Sequence, residues 1–400
     1  MILNGIRVLD FTQYLAGPTV TRLMAEMGAD IIKIERAPAG DPARLLPAIK
    51  DGRSGYFVQQ NLGKRSLCVD LNHGDADALI HELVGKVDVV VENFGPGVMQ
   101  RRGWDFDSLL KINPKLVMAS VSAFGRTGPL AHKTGFDWIA QAFAGIMHMT
   151  GPADGPPHPV GVGMADISTG VHAFSSIGYA LFHRERTGEG QYMDISMIDS
   201  LFHLHEVNLQ VNQLTDGEFV PKRMGRHHTL LCPCGVFKSS QGYVAILVTP
   251  AQWAGMCKAL GQPELENDPR FDSLESRAEN QNELIPLVEA WLQRFPNDQV
   301  ALDVLEENRV PSAPVLSPLD ALGHAYFEGR GTIRTVKDPI LGEMKLPGFP
   351  LRFSSQQDYS AGVAPLLGQH NEAVLKEVLG WEPARVAEQI EAGLLASGNR

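Results

Sequence analysis

Five short apolar runs in the first third of the chain constrain the fold more than any other feature: "IRVLDFT", "DIIKIER", "RSLCVDL", "DVVVENF" and "LVMASVSAF". Most are too continuously apolar for a strand with one wet face, so they read as strands buried on both sides. Four are followed by helical segments. "GPTVTRLMAEMGA" has Pro18 early and Val20, Leu23, Met24 and Met27 on one face. The others are the acidic-started "GDADALIHELVGKV", "FDSLLKINP" stopped by Pro114, and "FDWIAQAFAGIMHMTG" closed by Gly151. Strands alternating with amphipathic helices predict an α/β fold with a mostly parallel sheet covered on both faces.

The stretch "GVGMADISTGVHAFSSIGYALFHRERTGEG" predicts one long helix from about Ile167 to Arg186. Its residues Ile167, Val171, Phe174, Leu181 and Phe182 fall near helical spacing and are expected to pack inward. Composition shifts at "TDGEFVPKRMGRHH". Beyond it, "YVAILV", "AQWAGMCKAL" and the helix "LIPLVEAWLQRF" outline a smaller domain. The expected division is a large α/β domain over 1–200, a small domain over 225–330, and a Pro/Gly-punctuated tail over 331–400 with a helix near "NEAVLKEVL".

Lys and Arg number 35 against 46 Asp and Glu, a net charge of -11, with no basic stripe. A nucleic-acid binder is therefore not expected, and small molecules are the expected partners. The N-terminus lacks a signal-peptide pattern, and no apolar run approaches bilayer-spanning length. Four cysteines make no disulfide framework in 400 residues. A cytoplasmic protein without a membrane segment is expected.

The turn after the first strand, "QYLAGPTVT", carries neither a dinucleotide glycine fingerprint nor a Walker lysine loop. Cys232 and Cys234 stand too close for a zinc knuckle and lack a second ligand pair, so a packed turn around Pro233 is expected and no metal. Neither a G-x-S-x-G elbow nor H-E-x-x-H is present. Asp166 remains. As an N-cap it would accept a backbone N–H from Ser168 or Thr169. The same helix start would hold its carboxylate anionic, and Gly161 and Gly163 would leave room for it to act as a nucleophile. The pattern leaves both readings open.

Seven segments, in order, resemble the class III CoA-transferases, the family of formyl-CoA:oxalate and carnitine CoA-transferases. They are "GIRVLDFTQYLAGP", "MGADIIKIERAPAGDPAR", "NLGKRSLCVDL", "VVVENFGPGVMQRRG", "NPKLVMASVSAFGRTGP", "GFDWIAQAFAGIMHMTG" and "RTGEGQYMDISMID". The resemblance implies a large Rossmann-like domain, built from the N-terminal half and the tail, plus a smaller α+β domain. It also implies a homodimer of interlocked rings. In the family an Asp before the long helix attacks the acyl-CoA thioester, and here that position is Asp166. Coenzyme A is then a substrate, with no tightly bound cofactor, and the partners are an acyl-CoA donor and a carboxylic acid acceptor.

Carried over by position, the resemblance implies that Arg36, Leu71, Asn93, Phe94 and Arg101 or Arg102 contact CoA, with Lys133 on the same side. Asp137 matches a carboxylate kept near the nucleophile, and capping its own helix is an equal alternative. Phe136 stands where related α-methylacyl-CoA racemases place a histidine, so the two-sided proton transfer of a racemase lacks one group. Leu15 replaces a polar amide of the formyl-CoA:oxalate enzymes. Arg226, His227 and His228 occupy the place of a loop over the acyl site and would suit a dicarboxylic acid. Rival readings are the racemase, an acyl-CoA hydrolase and a non-catalytic CoA-binding protein.

Overall fold

The structure is a computed structural model that describes residues 1–356, 359 and 362–398. Its central sheet has six parallel strands: β1 (Arg7–Asp10), β2 (Asp30–Arg36), β3 (Arg65–Val69), β4 (Val89–Glu92), β5 (Val117–Ser122) and β6 (Gln191–Ser196). Their spatial order is β3-β2-β1-β4-β5-β6. The fold is thus α/β with a parallel central sheet, as the apolar runs imply. The sixth strand had no such signal, because "QYMDIS" lies at the sheet edge and alternates half-buried with exposed residues.

The helices that matter here are α1 (Ala16–Glu26), α2 (Gly55–Gln60), α3 (Ala76–Val84), α4 (Val98–Arg102), α5 (Phe106–Leu110), α6 (Asp137–Phe143), α7 (Ile146–Met149), α8 (Met164–Thr187) and α9 (Met197–Phe202). Because successive strand residues point to opposite faces, each strand feeds two cores. Val8, Ile31, Val89, Val91 and Val117 pack with α1, α6, α8 and α9. Leu9, Ile32, Leu67, Val90 and Met118 pack with α3 and the tail helices Asn371–Leu379 and Pro383–Glu391.

Two sequence expectations fail for local physical reasons. The single helix through Gly151 is two helices, α6 and α7, broken where Gly145 takes a left-handed φ of 83°. On α8 the inward face is made of small residues: Ala165, Thr169, Gly170, Ala173 and Ala180, with Ile177 and Leu181. Ile167, Val171 and Phe182 are instead exposed, at 42%, 47% and 61%. The cause is the close crossing with α1. A Cβ on Gly170 would lie 2.8 Å from the Ala16 carbonyl oxygen, so bulk cannot face that way.

The chain forms two compact units. One comprises Met1–Ile146, Val160–Asn208 and Tyr326–Arg400; the other comprises Met147–Pro159 and Leu209–Ala325. The second unit has a small antiparallel sheet of β7 (Cys234–Lys238), β8 (Tyr243–Leu247) and β9 (Ser312–Pro314), over a core including Trp253, Phe271 and Trp291. The Pro/Gly-punctuated tail begins with a hairpin, β10 (Ile333–Asp338) with β11 (Gly342–Pro347). Buried Arg53 ties it down, donating to Asp338 at 2.8 Å and to the carbonyls of Ala364 and Pro365. Among the described residues, no helix is long and apolar enough to cross a membrane.

Candidate active site

The chain runs outward through β1, β2 and β3, then returns to the far side of β1 as β4. Such a reversal opens a crevice beyond the carboxyl ends of the two central strands. A cavity of about 220 Å³ sits there. Gln13, Tyr14, Leu15 and Ala16 line it after β1, and Asn93, Phe94, Gly95 and Pro96 line it after β4. Val121, Ser122 and Ala123, then Arg126, Lys133, Thr134, Gly135, Phe136, Asp166 and Met197, complete the wall.

A buried ionic network fixes the loop after β1. The Asp10 carboxylate accepts from the Thr12 backbone (2.8 Å), the Thr21 hydroxyl (2.7 Å) and Lys64 Nζ (3.1 Å). Lys33 Nζ donates to the Thr12 carbonyl at 2.7 Å and pairs with Asp41 at 2.9 Å. Burial opposes the Asp10 charge, yet Lys64 and Lys33 hold its carboxyl below the usual range. Burial draws the Lys64 ammonium down to about 8 against the pull of Asp10. The network holds Tyr14 at a φ of 64°, its N–H donating to Asp41 Oδ1 at 3.2 Å. A non-glycine residue persists in that region only where its surroundings over-determine it. Asn93 clamps the two loops together, accepting from the Gln13 N–H and donating to its carbonyl, both at 2.8 Å.

Asp166 does not cap a helix. The long helix begins at Met164, after Gly163, so Asp166 lies inside the first turn. The cap comes from another element. Asp137, the first residue of α6, accepts from the N–H groups of Ala165 (2.7 Å) and Asp166 (3.1 Å) with one oxygen. Its other oxygen accepts from Gln141 Nε2 at 2.6 Å. Asp137 is therefore spent on starting α8 and is absent from the cavity wall. Burial, then the Asp137 carboxylate, push the Asp166 carboxyl up to about 7, so the helix start does not by itself keep it anionic. At Gly163 a Cβ would come 2.7 Å from Leu15 Cδ2, so that side chain would have to shift, whereas Gly161 has open space.

Of the other expected residues, Leu15, Asn93, Phe94 and Lys133 line the cavity. Arg36 is exposed at the end of β2, and Leu71 is buried in the core. Arg102 donates to the Leu71 carbonyl and pairs with Asp77 at 3.6 Å, while Arg101 lies exposed over Gly97. Arg226, His227 and His228 belong to the second unit. There Arg226 pairs with Glu289 at 3.2 Å, His227 packs edge-on against Phe237, and His228 accepts from the Leu230 N–H. Burial, then Arg226, lower the pKa of His227. Among the described residues no group of three or more His, Cys, Asp or Glu is arranged to hold a metal.

Sequence reasoning missed three residues. Tyr14 stands edge-on to Phe136 with centroids 6.0 Å apart. Tyr56, on the unheralded α2, has its phenol pKa raised by burial and then by Asp166, Asp41 and Asp137. Arg126, in the "AFGRTGP" loop, lines the cavity; its segment resembles the family, yet the resemblance attaches no role to the residue.

Comparison with known proteins agrees with this geometry. The model of CoA-transferase family III matches residues 3–371. Succinyl-CoA:glutarate CoA-transferase of Mus musculus is 34% identical, covering 98% of this chain and 90% of that protein. Succinyl-CoA:mesaconate CoA-transferase of Haloarcula hispanica is 38% identical, covering 94% of this chain and 96% of its own length. A solved CAIB/BAIF family protein from Brucella suis superposes with a TM-score of 0.82 at 33% identity, covering 94% of this chain and 99% of that one. With nearly its whole length matched and a carboxyl at the switch-point crevice, the chain belongs to CoA-transferase family III and is a class III CoA-transferase.

Proposed function

We propose that this enzyme moves CoA from an acyl-CoA thioester to an acceptor acid through covalent intermediates on Asp166. The observation that carries the reading is that Asp166 bears the only carboxyl group among the described residues lining the cavity. Its anion attacks the thioester carbonyl, the C–S bond breaks, and CoA leaves as thiolate. The thiolate then attacks the aspartyl carbonyl of the mixed anhydride, releasing the first acid as carboxylate. The acceptor carboxylate attacks the resulting aspartyl thioester and expels the thiolate. Thiolate attack on the acceptor's acyl carbon then frees Asp166. Each thioester is exchanged for another, so no external energy source is required.

The two relatives act on succinyl-CoA with glutarate or mesaconate by their names, and all three acids are dicarboxylic. Succinyl-CoA is therefore the first donor to test and a small dicarboxylate the first acceptor. Arg36 and Arg101, for which no protein side-chain partner is found among the described residues, are the proposed phosphate contacts of CoA; Arg102 is already engaged. Succinyl-CoA with a panel of acids, followed by mass spectrometry of the CoA products, tests the reading. Free CoA released without an acyl-CoA of the acceptor would instead indicate a hydrolase. Deuterium entering the α-position in heavy water would indicate a racemase.

Because the anion is the nucleophile and the carboxyl titrates at about 7, kcat/KM for the donor is expected to fall tenfold per pH unit below about 7. A flat profile from pH 5 to 8 would refute the titration.

The homodimer is proposed from the same family placement. It is supported by the exposed apolar residues of α8, Ile167, Val171, Tyr179 and Phe182, and of α6, Trp138, Ile139 and Phe143. Analytical ultracentrifugation is expected to give twice the chain mass, and Val171→Asp with Phe182→Asp a species of one chain. A monomeric wild type would sink the idea.

A further inference from the structure

We propose that Arg126 is a substrate anchor, whose unpartnered guanidinium N–H groups bind an anionic group, carboxylate or phosphate, of the molecule in the Asp166 cavity. The identity of that molecule rests on the CoA-transfer reading; the anion site itself rests on how this arginine is built in.

The loop that carries Arg126 is pinned from behind. Its backbone N–H donates to both Asp194 oxygens, at 2.8 and 2.9 Å, and the Thr127 hydroxyl donates to the same carboxylate at 3.2 Å. The side chain is pinned from one end only. Nη2 donates to both Glu92 oxygens at 2.9 Å and to the Phe94 carbonyl at 2.8 Å. Glu92, 1% exposed, is itself held by the Phe94 N–H at 2.8 Å. Nε and Nη1 have no acceptor among the described residues, although the side chain is only 12% exposed. A guanidinium keeps its charge, and its unpartnered N–H groups are donors open to a ligand. With Nη2 held, Nε and Nη1 are left as separate charged donors, each able to give an N–H to an oxyanion.

Arg126 borders two cavities, and charge decides between them. The second, of about 290 Å³, is lined by Glu92, Asp105 and Asp107, a setting that repels anions. The first offers Lys133 as a second cation and Asp166 as its single carboxyl. The anion therefore belongs on the Asp166 side.

Two sources share this chemistry: the distal carboxylate of a dicarboxylic acid and a phosphate of CoA. Arg126→Gln in the full chain separates them. If the anion is a carboxylate, KM for dicarboxylate acceptors is expected to rise about 10–100-fold, with the loss on KM rather than kcat, while monocarboxylates shift little. If it is a phosphate, calorimetry with free CoA shows binding weakened by the same factor. Either result supports the anchor. Wild-type affinity for both CoA and dicarboxylates in a folded Arg126→Gln protein overturns it. Should that variant not fold, Arg126→Lys decides. It keeps a charge against Glu92 but has no second nitrogen to reach the anion, so at least about threefold weaker binding supports the anchor and unchanged binding refutes it. Failure of the CoA-transfer reading would appear separately, as a wild-type enzyme that turns over no donor–acceptor pair.

Discussion

Replacing Asp166 by alanine is expected to abolish CoA exchange, by about 10⁴–10⁶-fold as for other removed nucleophiles. Hydroxylamine trapping after addition of donor should modify Asp166 in the wild type and nothing in the variant. Exchange near the wild-type rate would end the covalent proposal. Asp166→Asn carries a second readout, because the site stores a cost. The folded carboxyl titrates at about 7 against an ordinary value of 3.8. Below pH 4 both folded and unfolded chains hold the proton, and the group costs nothing. Between pH 4 and 7 only the folded state keeps it, so stability falls as pH rises, and above 7 the full cost is present. With solvent screening at the cavity, the cost is about 2–4 kcal/mol. The asparagine variant should therefore melt higher than wild type at pH 8 and no higher at pH 4. Equal melting temperatures at pH 8 would contradict the buried charge.

Asp137→Ala is expected to injure the enzyme without touching the cavity wall. It leaves the N–H groups of Ala165 and Asp166, and Gln141 Nε2, without their acceptor. Losing a buried cap of this kind costs about 2–4 kcal/mol. A loosened first turn misplaces Asp166, for which a loss of about 10²-fold in kcat is the expected scale. Asp137→Asn should recover only part of the stability. Its oxygen can still accept from the helix, but its amide faces Gln141 Nε2, whose own oxygen is committed to the Val160 N–H at 2.9 Å. In both variants the acid limb of the pH–rate profile should move below 7, because the second cause raising the Asp166 pKa has gone. An alanine variant with wild-type stability and an unmoved acid limb would show that Asp137 neither caps α8 nor acts on Asp166.

The legible parts of this chain are those whose side chains serve a local purpose. The strand runs could be read because Val8 and Leu9, or Val89 and Val90, must each satisfy a core on opposite faces of the sheet. Residues that serve a distant partner could not. Asp137 looks like the cap of its own helix but starts one 27 residues later in the chain. Arg126 sits in an unremarkable loop and acquires its setting from Glu92 and Asp194 on two separate strands. The large apolar residues of α8 obey helical spacing yet point outward, because a close crossing with α1 admits only small side chains.

By itself, then, the sequence determined the alternating α/β architecture, the family placement and the identity of Asp166 as the residue of interest. Periodicity and ordered motifs are properties of neighbours along the chain. Tertiary structure alone decided that Asp166 lies within the first turn, that Asp137 is its brace, and that burial and then Asp137 push its carboxyl up to about 7. Burial and the electrostatics of facing groups are sums over neighbours in space, and no spacing rule along the chain contains them.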